Sequence, residues 1–206
     1  MTRKRYTSIA RTLLLVASLA AASAGARQAA PTGSPTQAKA PADAQETAKL
    51  GPVTNPVSGA VKAQLPRFSK NMVAAAEAMP ADKYTFKPTP EMNSFAHLVM
   101  HIAQSNNGLC AKISDTPAPD AKMADTDPKE KLVAALKASF EYCATSLEKV
   151  DDSKLGDQMM LFGNRPFSRA AVLIILSDDW YDHYGAQATY LRLNGILPPT
   201  AQPAPK

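Results

Sequence analysis

The sequence lacks the motifs of enzymes that bind phosphate through a glycine-rich loop or use a serine nucleophile. It has nine glycines in 206 residues, and none of them forms a phosphate-binding loop. It also lacks the basic stripe that nucleic-acid binding requires. Four basic residues stand near the N-terminus, and without them the formal net charge falls from +5 to +1. We therefore expect no nucleic-acid partner and a surface of mixed charge.

Residues 1–26 have the pattern of a secretory signal peptide. A basic front is followed by an apolar run from Leu13 and then by small residues that suit signal cleavage. The run falls short of the roughly 20 residues that a membrane span needs, so we predict cleavage rather than a retained anchor. The sequence thus predicts an exported protein, periplasmic or secreted, with no stable membrane span once the signal is removed.

The rest of the chain divides by composition into a linker, one domain and a tail. Residues 27–58 are rich in Pro, Ala, Thr, Gln and Gly and contain almost no large apolar side chain. Burial cannot offset the entropy of ordering such a segment. We predict a disordered linker there and a disordered tail over residues 200–206. Residues 59–199 have the size of one ordinary domain.

Four segments of the domain carry apolar residues at the spacing of an amphipathic helix. The four stripes contain Val61, Leu65, Phe68 and Met72; Phe95, Leu98 and Ile102; Leu132, Leu136, Phe140 and Cys143; and Val172, Ile175, Ala186, Tyr190 and Leu193. No strand pattern competes, so we predict an all-α fold, a four-helix bundle. The long connection between the second and third helices allows a crossover topology as well as a simple up-and-down one.

The loop before the fourth helix has two features of its own. It could form a short hairpin around Gly163. Its apolar residues 159–162 either cover one end of the core or line an apolar pocket near a functional site.

Asp179 and His183, four residues apart, fall in step with the apolar stripe of the fourth helix. An unpaired carboxylate in a bundle core is costly or becomes protonated. A divalent metal would compensate, because it binds carboxylate oxygen and imidazole nitrogen together, and His101 on the second helix could be a third ligand. Alternatively, Asp179 caps a loop or pairs with Arg165 or Arg169, and His183 hydrogen-bonds to it. Spacing alone leaves both interpretations open.

Three stretches of the domain resemble the DinB-like superfamily, also called the YfiT-like metalloenzymes. They are Tyr84-x-Phe86-x-Pro88, the helix containing His101-Ile102-Ala103, and the run from His183-Tyr184-Gly185 to Pro198-Pro199. The resemblance extends from about residue 61 to residue 199. It implies a DinB-like four-helix bundle with a crossover connection. It also implies a divalent metal held by three histidines, one from the second helix and two, spaced His-x-x-x-His, from the last.

The metal ligands that the resemblance implies match His101, Asp179 and His183, with one departure. Asp179 stands where the family has the first histidine of the last-helix pair. Two imidazoles and one carboxylate can still hold Zn, Ni or Fe and leave positions for water or substrate. The substitution could instead weaken or abolish the site. His97, one turn before His101, is either a replacement ligand or a surface residue.

The resemblance implies function only by class. Characterised members of the superfamily are thiol S-transferases or a thiol-dependent isomerase, in which the metal would lower the pKa of a bound thiol or water. The usual thiol cofactors are cytoplasmic, so export makes hydrolysis a rival activity. The alternative is a non-catalytic periplasmic bundle that binds a metal, a small ligand or a partner protein. The sequence assigns no catalytic residue and no substrate, and the homodimers of some relatives make a homodimer a further expectation.

The two cysteines, Cys110 and Cys143, lie in the second and third helices. In an oxidising compartment we predict a disulfide bond between them, closing a loop of about 33 residues and contributing about 3 to 4 kcal/mol. The alternative is two separate buried thiols. A catalytic thiol is the least favoured interpretation.

Overall fold

Four α-helices dominate the part of the chain that the computed structural model describes, residues 51–203. They are α1 (Pro56–Ala78), α2 (Phe95–Ser114), α3 (Lys129–Leu147) and α4 (Arg169–Leu193). Between α3 and α4 lies an antiparallel hairpin of two strands, β1 (Gln158–Leu161) and β2 (Arg165–Ser168). The predicted all-α bundle is confirmed, with the hairpin as a small addition. The predicted signal peptide and most of the predicted linker lie outside the described residues.

The ends of the domain differ slightly from those predicted by composition. Helix α1 begins at Pro56, so residues 56–58, assigned to the linker, are helical. Thr200 and Ala201, assigned to the tail, belong to a short 3-10 helix, and the Thr200 hydroxyl lies 2.8 Å from the Tyr184 hydroxyl. Within residues 51–203, no helix combines the length and the apolar character needed to cross a membrane.

Helices α2 and α3 run parallel, so the segment between them has to return along the length of the bundle. Asn106 bonds to Ser139, and Cys110 to Cys143, so both contacts join residues 33 positions apart. Helices α1 and α4 are also parallel, whereas α2 and α4 run antiparallel. Residues 115–128 form the return connection. The crossover topology is therefore confirmed, and the simple up-and-down alternative is wrong.

Two hydrogen bonds to a residue distant in the sequence hold the start of α1. The carboxylate of Asp152, in a 3-10 helix after α3, accepts hydrogen bonds from the backbone N–H groups of Val57 and Ser58 at 2.9 and 2.8 Å. A helix leaves its first N–H groups without intrahelical partners. Asp152 satisfies two of them from a distant position in the chain, so it ties the end of α3 to the beginning of α1.

The core contains a buried polar network among apolar side chains. The indole N–H of Trp180, which is fully buried, donates to Asn106 Oδ1 at 2.8 Å, and Asn106 Nδ2 donates to the Ser139 hydroxyl at 3.0 Å. The network joins α4, α2 and α3. The core also contains the largest fully buried apolar side chains, which include Phe68, Met72, Phe95, Ile102, Leu132, Leu136 and Phe140. Because its members satisfy each other, the network fixes the relative positions of three helices without an unpaired polar atom.

The buried face of α4 is shifted by one residue from the predicted stripe. Its fully buried members include Leu176 and Trp180, whereas Leu193 of the predicted stripe is 56 % exposed. Helix α4 packs against both α1 and α2, so its buried surface lies between the two neighbours. Asp179 and His183 have side chains that are 16 % exposed, and they lie at the edge of this surface. The predicted stripe is thus confirmed at Val172 and Tyr190, which are buried, but Asp179 and His183 lie at the margin of the core and do not interrupt its interior.

The two cysteines lie together between α2 and α3. Cys110 and Cys143 are bonded, with their Cα atoms 5.3 Å apart, and both side chains are fully buried. Neither cysteine is left as a free thiol.

Candidate metal centre

The three residues predicted as metal ligands meet where α2 and α4 pass each other. Helix α4 supplies Asp179 and His183, one turn apart, and α2 supplies His101. The rings of His101 and His183 have centroids 4.8 Å apart and are nearly perpendicular. One ligand atom of each residue, an imidazole nitrogen or a carboxylate oxygen, lies within 4.8 Å of the other two. No other group of three such residues meets this criterion within residues 51–203.

Asp179 gives the test of whether these residues fit a metal. Its Oδ1 lies 3.1 Å from Nε2 of His183. Its Oδ2 is buried and has no hydrogen-bond partner among the described residues. A buried polar atom without a partner is uncommon and costs free energy. A cation between the carboxylate and two imidazoles would satisfy it, and this set of donor atoms is one that divalent transition metals bind. The residues therefore fit a divalent metal.

The alternative in which Asp179 pairs with an arginine is not what the structure shows. Arg169 instead contacts two other carboxylates, Asp115 at 2.8 Å and Asp157 at 3.6 Å. The guanidinium of Arg165 lies 5.6 Å above the ring of Phe167. Of that alternative, the structure shows only the contact between His183 and Asp179.

The two histidines of the cluster differ in their affinity for protons. Burial lowers the pKa of His101, neighbouring His183 lowers it further, and Asp179 offsets only part of the effect. Burial also lowers the pKa of His183, but the hydrogen bond and charge of Asp179, with the charge of Asp182, outweigh it, so the pKa is raised. His101 therefore presents a neutral imidazole, which is the form that binds metals.

His97 lies beside the cluster but is not part of it. Its ring stacks on that of His101 with centroids 6.4 Å apart. Its Nδ1 lies 3.4 Å from Asp125 Oδ2 in the crossover connection. Asp125 thus pairs with one of the two ring nitrogens, and His97 is not among the three residues whose ligand atoms meet, so the interpretation of His97 as a replacement ligand gains no support from its position.

Two cavities adjoin the cluster. The first, of about 500 Å³, is lined by all three residues of the cluster, by other residues of α2 and α4, and by Leu161 and Phe162 of the hairpin. The second, of about 410 Å³, shares His101 and His183 and extends toward the segment before α2. Of the two interpretations of residues 159–162, the structure therefore supports the wall of a pocket.

Four residues of α2 besides His101 line the first cavity, and they were not predicted from the sequence. These are Ser105, Gly108 and Lys112, together with Leu109. A signal was available, because the first three follow His101 at steps of four, three and four and therefore lie on its side of the helix. Nothing in the sequence showed that the hairpin would line a cavity together with this stripe.

The comparisons with known proteins agree with this architecture. Residues 64–186 match the model of the DinB superfamily. Among solved structures, a DinB-like protein from Bacillus subtilis is 22% identical with a TM-score of 0.57, and covers 70% of this chain and 99% of its own. A DinB-like protein from Bacillus cereus is 12% identical with a TM-score of 0.58, covering 68% of this chain and 95% of its own.

A third similar structure is a mycothiol-dependent maleylpyruvate isomerase, 12% identical with a TM-score of 0.52. The match covers 62% of this chain and 59% of the isomerase. No curated protein matches the chain significantly. At these identities the solved structures establish the fold alone, but the superfamily model covers more than half of the sequence. The chain belongs to the DinB superfamily.

Proposed function

We propose that the protein binds a divalent metal through His101, Asp179 and His183 and uses it in catalysis. The observation that supports this most strongly is that Asp179, which lies beside two imidazoles, has a buried Oδ2 with no partner among the described residues. Two nitrogen donors and one oxygen donor suit Zn, Ni or Fe. Three protein ligands also leave coordination positions for a substrate.

The reaction class that we propose is hydrolysis or transfer of a thiol-linked group. A bound divalent cation would supply Lewis acidity, which polarises a substrate oxygen or lowers the pKa of a water or thiol. The chain's own contribution is to position and shield: His183 and Asp179 hold each other across one helical turn, and the two cavities give a substrate access from α2 and α4. The isomerase with a similar fold is mycothiol-dependent, which supports including thiol chemistry.

Elemental analysis of the purified protein tests the metal site. We expect about one transition-metal ion per chain, lost in the His183→Ala variant. The matched control is His97→Ala, which removes the same side chain on α2, one turn from His101, but outside the cluster. Retention of the metal by His183→Ala, or its loss from both variants, would contradict the assignment of the ligands.

A non-catalytic bundle is the second candidate, and one observation favours it. The contact between His183 and Asp179 already gives each a partner without a cation, at 3.1 Å. Under this hypothesis, protein purified and then exposed to Zn²⁺, Ni²⁺ or Fe²⁺ contains no stoichiometric metal. If metal is bound, assays with thioester, ester and thiol-acceptor substrates distinguish a catalyst from a metal-binding protein.

We also propose that the mature protein acts outside the cytoplasm. The disulfide between Cys110 and Cys143 supports this, because such bonds persist in oxidising compartments. Cell fractionation followed by mass spectrometry of the intact protein tests it. Export with cleavage predicts a soluble extracytoplasmic species shortened by roughly 26 residues, as expected for a signal peptide. A full-mass species in the membrane fraction would instead indicate a retained anchor.

A further inference from the structure

We infer that the first cavity, the one lined by the hairpin, binds a small carboxylate with an apolar body. This inference goes beyond the proposed function, because it concerns a binding site that the chain's own side chains form without a metal. The cavity and its lining are features of the chain itself. Its volume of about 500 Å³ falls in the range typical of small-molecule sites.

The wall of the cavity is mostly apolar. Leu109 of α2, Ile175 of α4, and Leu161 and Phe162 of the hairpin all line it. Phe162 is 62 % exposed and has a backbone φ of 46°, a left-handed conformation that bulky residues rarely adopt. The chain therefore holds an aromatic ring in water, in an unfavourable turn, at the rim of this cavity. An apolar ligand packed against the ring would remove that surface from water.

The charged side chains that line the cavity indicate where the anionic end of the ligand would lie. Lys112 is the only lysine or arginine that lines the cavity, and it forms no ion pair among the described residues. Asp179 lies in the same lining, beside the histidines. Without a bound cation, a carboxylate would be attracted to Lys112 and repelled by Asp179. The ligand would thus place its anionic end at Lys112 and extend its apolar body toward the candidate metal centre.

The geometry of α2 sets the length of such a ligand. His101 and Lys112 are eleven residues apart, which corresponds to about 16 Å of helix. Helical side chains lean toward the N-terminus, so the Lys112 side chain shortens the gap. Between them, Gly108 leaves the floor of the cavity open, since a Cβ atom added there would meet nothing within 4 Å. A medium-chain carboxylate such as octanoate matches this space.

The first experiment measures octanoate binding by isothermal titration calorimetry, using the full chain as purified and after chelator treatment. We expect saturable binding in both states. The Gly108→Leu variant places an isobutyl group in the cavity and should weaken binding by about tenfold or more, since it displaces several ligand methylenes. The matched control is Gly185→Leu, the same substitution on α4 at a glycine outside the cavity that also has open space around it. This control should bind as the wild type does.

The second experiment tests the role of the charge. Octanamide has the same apolar body without the anion, and we expect the wild type to bind it about two- to fivefold more weakly than octanoate, as for an exposed ion pair. The Lys112→Gln variant should bind both compounds equally. Gly108→Leu should weaken both.

Several outcomes would overturn the inference. They are no saturable binding of octanoate at millimolar concentration, equal affinity in the wild type and Gly108→Leu, and equal affinity of the wild type for octanoate and octanamide. Thermal unfolding of each variant shows whether it is folded, and we expect Gly108→Leu to be at least as stable as the wild type because leucine favours a helix more than glycine does. Since binding is measured with the metal removed, its failure is distinguishable from a failure of the metal assignment.

Discussion

Reduction of the disulfide between Cys110 and Cys143 should destabilise the domain without changing its folded structure. The bond joins residues 33 positions apart. For a loop of this length the chain-entropy model gives a stabilisation of about 3 to 4 kcal/mol. This is a large part of the roughly 5 to 15 kcal/mol that stabilises a typical domain. For a domain of this size we expect the melting temperature to fall by about 10 °C.

The packing explains why the folded state should survive reduction. Helices α2 and α3 remain joined by the contact of Asn106 with Ser139, and Asn106 also binds Trp180 of α4. The loss therefore occurs mainly in the unfolded chain, which gains conformational freedom. We expect an unchanged circular dichroism spectrum. We also expect a steeper dependence of the unfolding free energy on urea, because the unfolded chain without its cross-link exposes more surface.

Urea unfolding with and without a reducing agent measures this effect with no change in side-chain volume. The double variant Cys110→Ala, Cys143→Ala should be less stable still, because both side chains are fully buried and their removal leaves space in the core. An unchanged unfolding midpoint, with mass spectrometry showing both thiols reduced, would refute the reasoning.

Two further predictions concern single side chains. Asp152→Asn should lower the melting temperature near neutral pH, because α1 loses a carboxylate at its N-terminus. Although burial raises the pKa of Asp152, its hydrogen bonds to Ser58 and Val57 lower it by more. Its stabilising effect is therefore present above its unfolded pKa of about 3.9 and is lost as the pH falls through the folded pKa. The melting temperatures of the wild type and Asp152→Asn should therefore converge in acid. A difference that stays constant with pH would contradict this. Trp180→Phe should lower the free energy of unfolding in urea by about 1 to 3 kcal/mol, because Asn106 Oδ1 is left buried without its donor. Tyr181→Phe, at the neighbouring half-exposed position, should lower it little. Equal losses in the two variants would contradict the role of the indole N–H.

The helices could be predicted from the sequence because their apolar residues repeat with the helical period over several turns. Phe68 and Met72 of α1, and Leu136 and Phe140 of α3, are buried as the pattern indicates. In α4 the same reasoning identified Val172 and Tyr190 but missed Leu176 and Trp180, which are fully buried one residue beyond predicted positions. A helix that contacts two neighbours buries a wide face, and the period alone does not locate its centre.

Contacts between distant segments could not be predicted. Asp152 caps α1 from beyond α3, and the hairpin containing Phe162 lines a cavity together with Gly108 and Lys112 of α2. These contacts depend on how the bundle closes, which local periodicity does not encode. The proposed ligand set was named from the sequence because two of its members are one turn apart, and His101 on the second helix was a candidate third ligand that the family resemblance also implied.

The position of Asp179 explains how the bundle can hold an acidic side chain at this place. Inside the core, an unpaired carboxylate would be strongly destabilising or would become protonated. At the edge, Asp179 keeps 16 % of its side-chain surface exposed and has His183 as a partner through one oxygen. The second oxygen is buried without a hydrogen-bond partner among the described residues, so part of the free-energy cost of burying the carboxylate remains. Binding of a cation would remove this cost in the folded chain and not in the unfolded chain. Cation binding should therefore raise the free energy of unfolding. A histidine at position 179 would carry no such unsatisfied charge, so we expect cation binding to relieve a cost that is specific to the aspartate.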